Sequence, residues 1–388
     1  MAAVVLPAAA WRNRPGLDDL AHVLGSGEAR FVGGAVRDTL LGLEVSDIDI
    51  ATRHPPEEVL DRLRGARIKA VPTGLAHGTI TAIIEGGPVE VTTLRHDVAT
   101  DGRHATVAFT DDWRADAARR DFTINALYAD PISGEVFDYF GGLGDLAAAR
   151  VRFIGDPLTR IAEDHLRILR FFRFLARFGD TPDRQGLAAC EARANDLMAL
   201  SRERIRDELL KLLVAREAVA VTRLMVERGI LKPVLPEIDL AGVARMAALA
   251  PREPQPDPFR RLVALLPDAA AVEAVGARLK LSNHERKRIA LAAEPRGTSG
   301  PHELIYRLGQ TGAADRLLLA GEEPLDWTPP VLPITGGALV QMGLRKGPLV
   351  AATLRRIEDR WIAADFPGSI DDVVADEVAQ ALRSSSNA

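Results

Sequence analysis

The chain has 388 residues, 47% hydrophobic and 27% charged, and 49 Lys and Arg against 54 Asp and Glu leave a net charge of −5. At ~100–200 residues per domain, that length predicts two to four folded domains, and the charge excludes a uniformly basic nucleic-acid binder. A single cysteine, Cys190, excludes a disulfide framework and a Cys-rich zinc site and fits a reducing cytoplasm, the expected location. The apolar opening Met1–Ala10 lacks a basic leader and is far shorter than the ~20 residues of a spanning helix, so no membrane association is expected.

Charge is uneven along the chain. Residues 1–149 carry 14 basic and 22 acidic side chains, whereas residues 150–216 carry 14 and 10. An acidic first part followed by a basic second part suits a phosphate-rich ligand between them, although charges on helix surfaces fluctuate on this scale as well.

In chain order, residues 1–29 read as a lead segment with a short helix. Arg30–Gly33 reads as a brief strand ending in Gly33-Gly34, and Ala35–Leu41 as a helix stopped by Gly42. Asp47–Thr52 alternates polar and apolar residues, the period of a strand. Pro55–Arg64 reads as a helix. Gly78–Glu85 and Pro88–Leu94 are β-branched runs joined by Gly86-Gly87, a hairpin signal. Residues 95–112 show no apolar period and read as a mobile loop. Beyond residue 150 the spacing is almost entirely helical. Asp156-Pro157 should cap one long helix ending at Gly179, and Pro251–Pro258 reads as a stiff linker. The expected organisation is α+β: a head over 30–150 with a mixed β-sheet, then an all-helical neck over 151–216 and a helical body and tail over 217–388.

The chemistry begins at Asp47-Ile48-Asp49-Ile50. On a strand the two aspartates share one face and the isoleucines the other. Two adjacent carboxylates repel unless a cation lies between them, and Mg²⁺ is commonly held by one or two carboxylates plus substrate phosphates. An isolated pair of this kind is more often a solvated strand face. Glu90, on the second hairpin strand, would supply a third carboxylate for a two-metal phosphoryl-transfer site. Gly33-Gly34 at a helix start lets backbone N–H groups approach a phosphate, and Arg37 could add a direct contact.

The ordered runs GGAVRD (33–38), DID (47–49), RRDFTINAL (119–127) and EDHLRILRFFRF (163–174) resemble the tRNA nucleotidyltransferase and poly(A) polymerase family, the class II branch of the DNA polymerase β superfamily. The run Glu203–Lys211 is similar to that family's last head-and-neck motif. The resemblance implies a small five-stranded nucleotidyltransferase head sheet followed by helical neck, body and tail. It implies Mg²⁺ on Asp47 and Asp49, a triphosphate contact from Arg120, and a ribose placed by Asp121 and Asn125. Asp121 could instead be only a helix cap. It also implies base reading by Asp164 and Arg167, with nucleotide contacts from Arg170 and Arg173. The segment holding Arg95, Asp97, Asp101 and Arg103 resembles the family's flexible loop, implying a role in switching nucleotide. The implied substrates are CTP, ATP and the 3′ end of tRNA; no protein partner is evident.

On an unbroken helix, steps of three residues drift by ~60°, so Asp164 and Arg167 could face one object while Arg173 would lie on nearly the opposite side. Asp164 only accepts hydrogen bonds and Arg167 only donates. Cytosine and adenine each offer an amino donor beside a ring-nitrogen acceptor, and guanine and uracil reverse that order. One Asp–Arg pair therefore selects C and A without a nucleic-acid template. An i,i+3 surface ion pair is the alternative use of that spacing. The expected product is CCA on tRNA, with poly(A) addition and a non-catalytic RNA-binding relative as alternatives. Phe171, Phe172, Phe174 and Phe178 read as neck core, and Cys190 as a buried helix residue.

Overall fold

The computed structural model describes residues 4–100 and 105–386, which divide into two compact units, Met1–Val243 and Ala244–Ala388. The first unit contains a seven-stranded sheet ordered β3-β4-β5-β2-β1-β8-β9. Its strands are β1 (Ala29–Val32), β2 (Asp49–Thr52), β3 (Lys69–Gly74), β4 (Thr79–Ile84), β5 (Gly87–Thr93), β8 (Leu127–Ala129) and β9 (Val136–Asp138). Only β2 and β5 run parallel; the other neighbours are antiparallel. The sheet is thus mixed, as expected, but has seven strands where the resemblance implied five. The edge strand β3 carries Pro72 and is mostly exposed, which a sheet tolerates at an edge.

The alternation of side chains divides the head core. Ile48, Ile50, Val89 and Val91 pack with Leu17, Leu20 and Leu24 of helix α1 (Leu17–Leu24). Helix α2 (Gly34–Leu40) follows β1, and Val59 and Leu63 of α3 (Pro56–Gly65) cover the same face. Val32, Ala51, Leu94 and Tyr128 face the other way, against Trp113 and Ala117 of α4 (Trp113–Ala118). Asp49 therefore points away from the larger core, as the strand period requires.

The described residues 95–100 and 105–109 are strands rather than an unstructured loop. Strands β6 (Arg95–Thr100) and β7 (Ala105–Phe109) pair antiparallel as a two-stranded ribbon. One register shift lies between Asp97 and Ala99. The expectations for Asp101 and Arg103 fall outside the described residues, as does the side chain of Asp97.

The helical part opens after α5 (Gly142–Ala147). Asp156 does cap a helix, accepting from the Thr159 amide at 2.8 Å. That helix is not continuous to Gly179. It breaks into α6 (Pro157–Glu163) and α7 (Arg167–Phe178), because Asp164 adopts extended angles, φ −152° and ψ 107°. The Asp164 carboxylate turns back to accept from the Leu166 amide at 3.1 Å, a local bond that competes with helix continuation. The four phenylalanines of α7 are buried, as expected, and so is Cys190 on α8 (Arg184–Ala192). Helices α9 (Arg202–Leu213) and α10 (Ala218–Glu227) complete the layer against α7.

After α11 (Leu240–Leu249), the second unit contains α12 (Pro258–Leu265), α13 (Ala269–Arg278), α14 (Asn283–Ala293), α15 (Pro301–Leu319), α16 (Gly336–Gln341), α17 (Pro348–Ala363) and α18 (Asp371–Ser386). The proline-rich run 251–258, expected as a stiff linker, is largely exposed but is anchored at one point. Its Glu253 side chain is fully buried between Arg260 and Arg261, and a buried carboxylate needs such partners. Among the described residues no helix is long and apolar enough to cross a membrane.

Candidate functional site

One cavity of about 590 Å³ in the first unit is lined by Gly33, Gly34, Arg37, Asp47, Asp49, Arg120, Asp121, Asn125, Asp164, Arg167, Arg170, Arg173 and Phe174. Residues expected on separate motifs thus meet around one space. Asp164 lies outside α7, in the break, so the half-turn that an unbroken helix would put between it and Arg173 does not apply. Counted from Arg167, the first residue of α7, Arg173 has drifted by only ~120°.

The acidic corner lies on the sheet. Asp49 is the register partner of Glu90 across the parallel β2–β5 pair. Burial pushes the Asp49 carboxyl above its ordinary range; nearby Glu90 and Asp47 push it further up, while Arg120 opposes them. Such surplus negative charge fits a divalent cation. Asp47 and Asp49 line the main cavity, whereas Glu90 lines an adjoining cleft of about 270 Å³ with Asp49, Arg95 and Arg120. Among the described residues no trio of His, Cys, Asp or Glu is arranged as a metal-binding group. A cation on the two aspartates would therefore draw further oxygens from substrate.

The same cavity is also lined by Arg37, Arg120, Arg167, Arg170 and Arg173. Gly33 has φ +68°, a conformation glycine adopts without strain, and a Cβ there would lie 3.6 Å from Arg120 Nη1. Arg37 is buried and donates through Nε to Asp38 at 2.8 Å and through Nη1 to the Asn125 side-chain carbonyl. A guanidinium has five N–H groups, so Arg37 keeps donors in reserve. Arg120 donates to Asp116 and to the Tyr128 hydroxyl, at 3.1 Å each in the closest pairs. Burial raises the Asp116 carboxyl, but Arg120, Arg119 and Tyr128 more than offset it and hold it down at about 2.

Asp121 is not the N-cap of the short helical turn that follows, a position held by Phe122. One oxygen accepts from the Phe122 amide at 2.8 Å and from the Asn125 side chain at 2.9 Å; the other accepts from Arg170 Nε at 2.7 Å. Burial raises this carboxyl, but Arg170 and these bonds pull it below its ordinary range. Arg173 pairs with Glu208 at 2.5 Å and lies 4.3 Å from the centre of the Phe174 ring.

Asp164 and Arg167 both reach the cavity, but they do not pair with each other. Arg204 donates to both Asp164 oxygens at 3.0 and 2.8 Å. Arg167 donates to Glu163 at 2.5 Å, to the Arg160 carbonyl at 2.8 Å and to the Arg119 carbonyl at 3.2 Å. The supports Asp116, Glu163, Arg204 and Glu208 were missed as site residues. Arg204 and Glu208 are four apart on α9, the spacing of one helix face, which was the available signal.

Comparison with known proteins adds independent findings. Residues 29–152 match the family model of the poly A polymerase head domain, and residues 181–241 match that of the probable RNA and SrmB-binding site of polymerase A. The chain is 35% identical over 374 residues to the mitochondrial CCA tRNA nucleotidyltransferase 1 of Danio rerio, covering 90% of this chain and 86% of that one. It is 42% identical over 191 residues to a CCA-adding enzyme of Levilactobacillus brevis, 49% of this chain and 47% of that one. Among solved structures, the Bacillus stearothermophilus CCA-adding enzyme in complex with CTP superposes with a TM-score of 0.73 at 27% identity, covering 93% of this chain and 95% of that one. By its head sheet, its shared motifs and this near full-length likeness, the chain belongs to the family of CCA-adding tRNA nucleotidyltransferases.

Proposed function

We propose that this protein adds C, C and A to the 3′ end of tRNA from CTP and ATP, without a nucleic-acid template, releasing pyrophosphate. The observation that carries the reading is that Asp164 and Arg167 line the same cavity as Asp47 and Asp49. An acceptor and a donor for a base edge thus share one space with paired carboxylates.

Asp47 and Asp49 would hold the divalent cation used by this family, Mg²⁺ in our reading, which when bound activates the RNA 3′-hydroxyl and neutralises phosphate charge. Arg120 and Arg37 offer N–H donors to the triphosphate. Asp121 and Asn125, locked together by their 2.9 Å bond, form a rigid support for the ribose. The 3′-hydroxyl gives up its proton to solvent, its oxygen bonds to the α-phosphorus, and the bond from that phosphorus to the pyrophosphate oxygen breaks. Glu90, beside Asp49 on the next strand, is the third carboxylate we assign to the reaction.

Selection follows from donor and acceptor roles. The Asp164 carboxylate accepts from the amino group of cytosine or adenine, and Arg167 donates to the adjacent ring nitrogen. Guanine and uracil present the reverse order and leave both groups mismatched, at ~1–3 kcal/mol for each buried group left unpaired. The single buried Cys190 supports a reducing compartment, the cytoplasm in our reading, although the Danio rerio relative is named as mitochondrial.

The test supplies tRNA lacking its 3′ end with each labelled nucleotide in turn, and separately supplies ATP with an oligo(A) primer. Incorporation of C, C and one A on the tRNA, with little extension of the primer, is expected. Long adenosine tails on the primer would instead identify a poly(A) polymerase.

A further inference from the structure

Asp116 sits between two parts of the head that the sequence treats separately. Its side chain is 1% exposed. One oxygen, Oδ1, accepts from the backbone amide of Arg95, the first residue of β6, at 3.2 Å, and from Arg119 Nε at 2.9 Å. The other, Oδ2, accepts from Arg120 Nη2 at 3.1 Å and from the Tyr128 hydroxyl at 2.7 Å. Arg119 also donates to the Arg95 carbonyl at 3.1 Å, so it closes a ring around the ribbon root. Meanwhile the Arg119 carbonyl accepts from Arg167 Nη2, a lining residue of the cavity, at 3.2 Å. One oxygen therefore serves the ribbon, and the other serves the cavity.

We propose that Asp116 is a positioning residue that links occupancy of the nucleotide cavity to the seating of the β6–β7 ribbon. The inference rests on reading that cavity as the nucleotide site. A triphosphate drawing on Arg120 competes with Oδ2 for the same guanidinium. As that pairing weakens, the carboxylate's charge is shared less on the cavity side and more with Arg119 and the Arg95 amide. The ribbon root then tightens when nucleotide binds. By thermodynamic reciprocity, a ribbon held firmly at its root favours the arrangement of Arg120 that binds nucleotide. A purely structural ion pair predicts no such link.

The test uses the full-length enzyme. Hydrogen exchange of the peptide spanning residues 93–100 is measured with and without CTP and Mg²⁺, in the wild type and in Asp116→Asn. CTP should slow exchange of this peptide about threefold or more in the wild type and leave it unchanged in the variant. In steady-state CTP incorporation, Asp116→Asn should raise KM about tenfold with kcat within about threefold, and Asp116→Glu should recover part of the loss. An unaltered KM in folded Asp116→Asn, or wild-type exchange indifferent to bound CTP, overturns the proposal. If Asp116→Asn fails to fold, Tyr128→Phe replaces it, because it removes one donor to Oδ2 and keeps both ion pairs. A KM raised about twofold, with weaker CTP protection, then supports the link, and no change in either overturns it. A wild type that neither binds nor incorporates CTP would refute the reading of the cavity itself.

Discussion

Arg204 grips Asp164 from forty residues away in sequence, donating one Nη2 group to both carboxylate oxygens at 3.0 and 2.8 Å. Asp164 stands in the break between α6 and α7, where no helical backbone fixes it. Its carboxylate is held instead by Arg204 of α9 and by the Leu166 amide. Charge-assisted hydrogen bonds of this kind contribute ~1.5–3 kcal/mol, enough to decide a rotamer. Arg204→Met should reduce the preference for CTP over UTP about tenfold or more, with a smaller effect on tRNA affinity. Competition assays with mixed nucleotides measure it; an unchanged preference would show that Asp164 needs no help.

Asp49 is expected to sacrifice stability for function. Burial, with Glu90 and Asp47 near, raises its carboxyl above the ordinary range. A carboxyl raised on folding destabilises the fold at pH values above its unfolded pKa, because the charged form is worse accommodated than in water. Asp49→Asn should thus be inactive yet melt no lower than wild type in metal-free buffer. A variant that melts well below wild type would mean the charge is satisfied by the protein alone.

Asp121 and Arg170 give the opposite sign. Although burial opposes ionisation, Arg170, Asn125 and the Phe122 amide hold Asp121 below its ordinary range. A depressed carboxyl stabilises the fold above its unfolded pKa, and that contribution is lost as pH falls through the folded value. The stability gap between wild type and Arg170→Gln should be flat near neutrality and shrink below about pH 5. Denaturant midpoints across that range provide the measurement. A gap that stays constant down to acid would exclude the ion pair as its source.

Deleting most of the ribbon between Arg95 and Phe109 should leave addition of two cytidines and lose the final adenosine. Segments that reshape a site lie at the less stable end of a structure, and the root of this ribbon at Arg95 is bonded to Asp116 and Arg119. Gel analysis of products on tRNA lacking its 3′ end distinguishes the outcomes. Full CCA addition by the shortened enzyme would detach the ribbon from nucleotide switching.

Much of this was legible in the chain because the informative signals are local. Alternation over Asp47–Thr52 places Ile48 and Ile50 in the core and leaves the aspartates on the other face. Gly86-Gly87 marks the β4–β5 turn. What the sequence concealed was either short or non-local. Strands β8 and β9 have three residues each and owe their conformation to neighbours rather than to propensity. The break at Asp164 was invisible because apolar spacing continues across it. Its cause is a carboxylate that bonds the Leu166 amide and a distant arginine. The alternative reading, a local ion pair between Asp164 and Arg167, is not what forms: Arg204 holds Asp164 and Glu163 holds Arg167.

The parallel pairing of β2 with β5 has a consequence for how the enzyme is born. Parallel neighbours require a crossover, so Asp49 and Glu90 come together only after α3, β3 and β4 have been made. The cavity-lining arginines Arg167, Arg170 and Arg173 emerge later still, on α7, and Arg204 and Glu208, which pair with Asp164 and Arg173, last of all. A chain growing from the ribosome thus acquires its acidic corner before anything that chooses among nucleotides. Selectivity is the final property to mature, when α9 closes against α7.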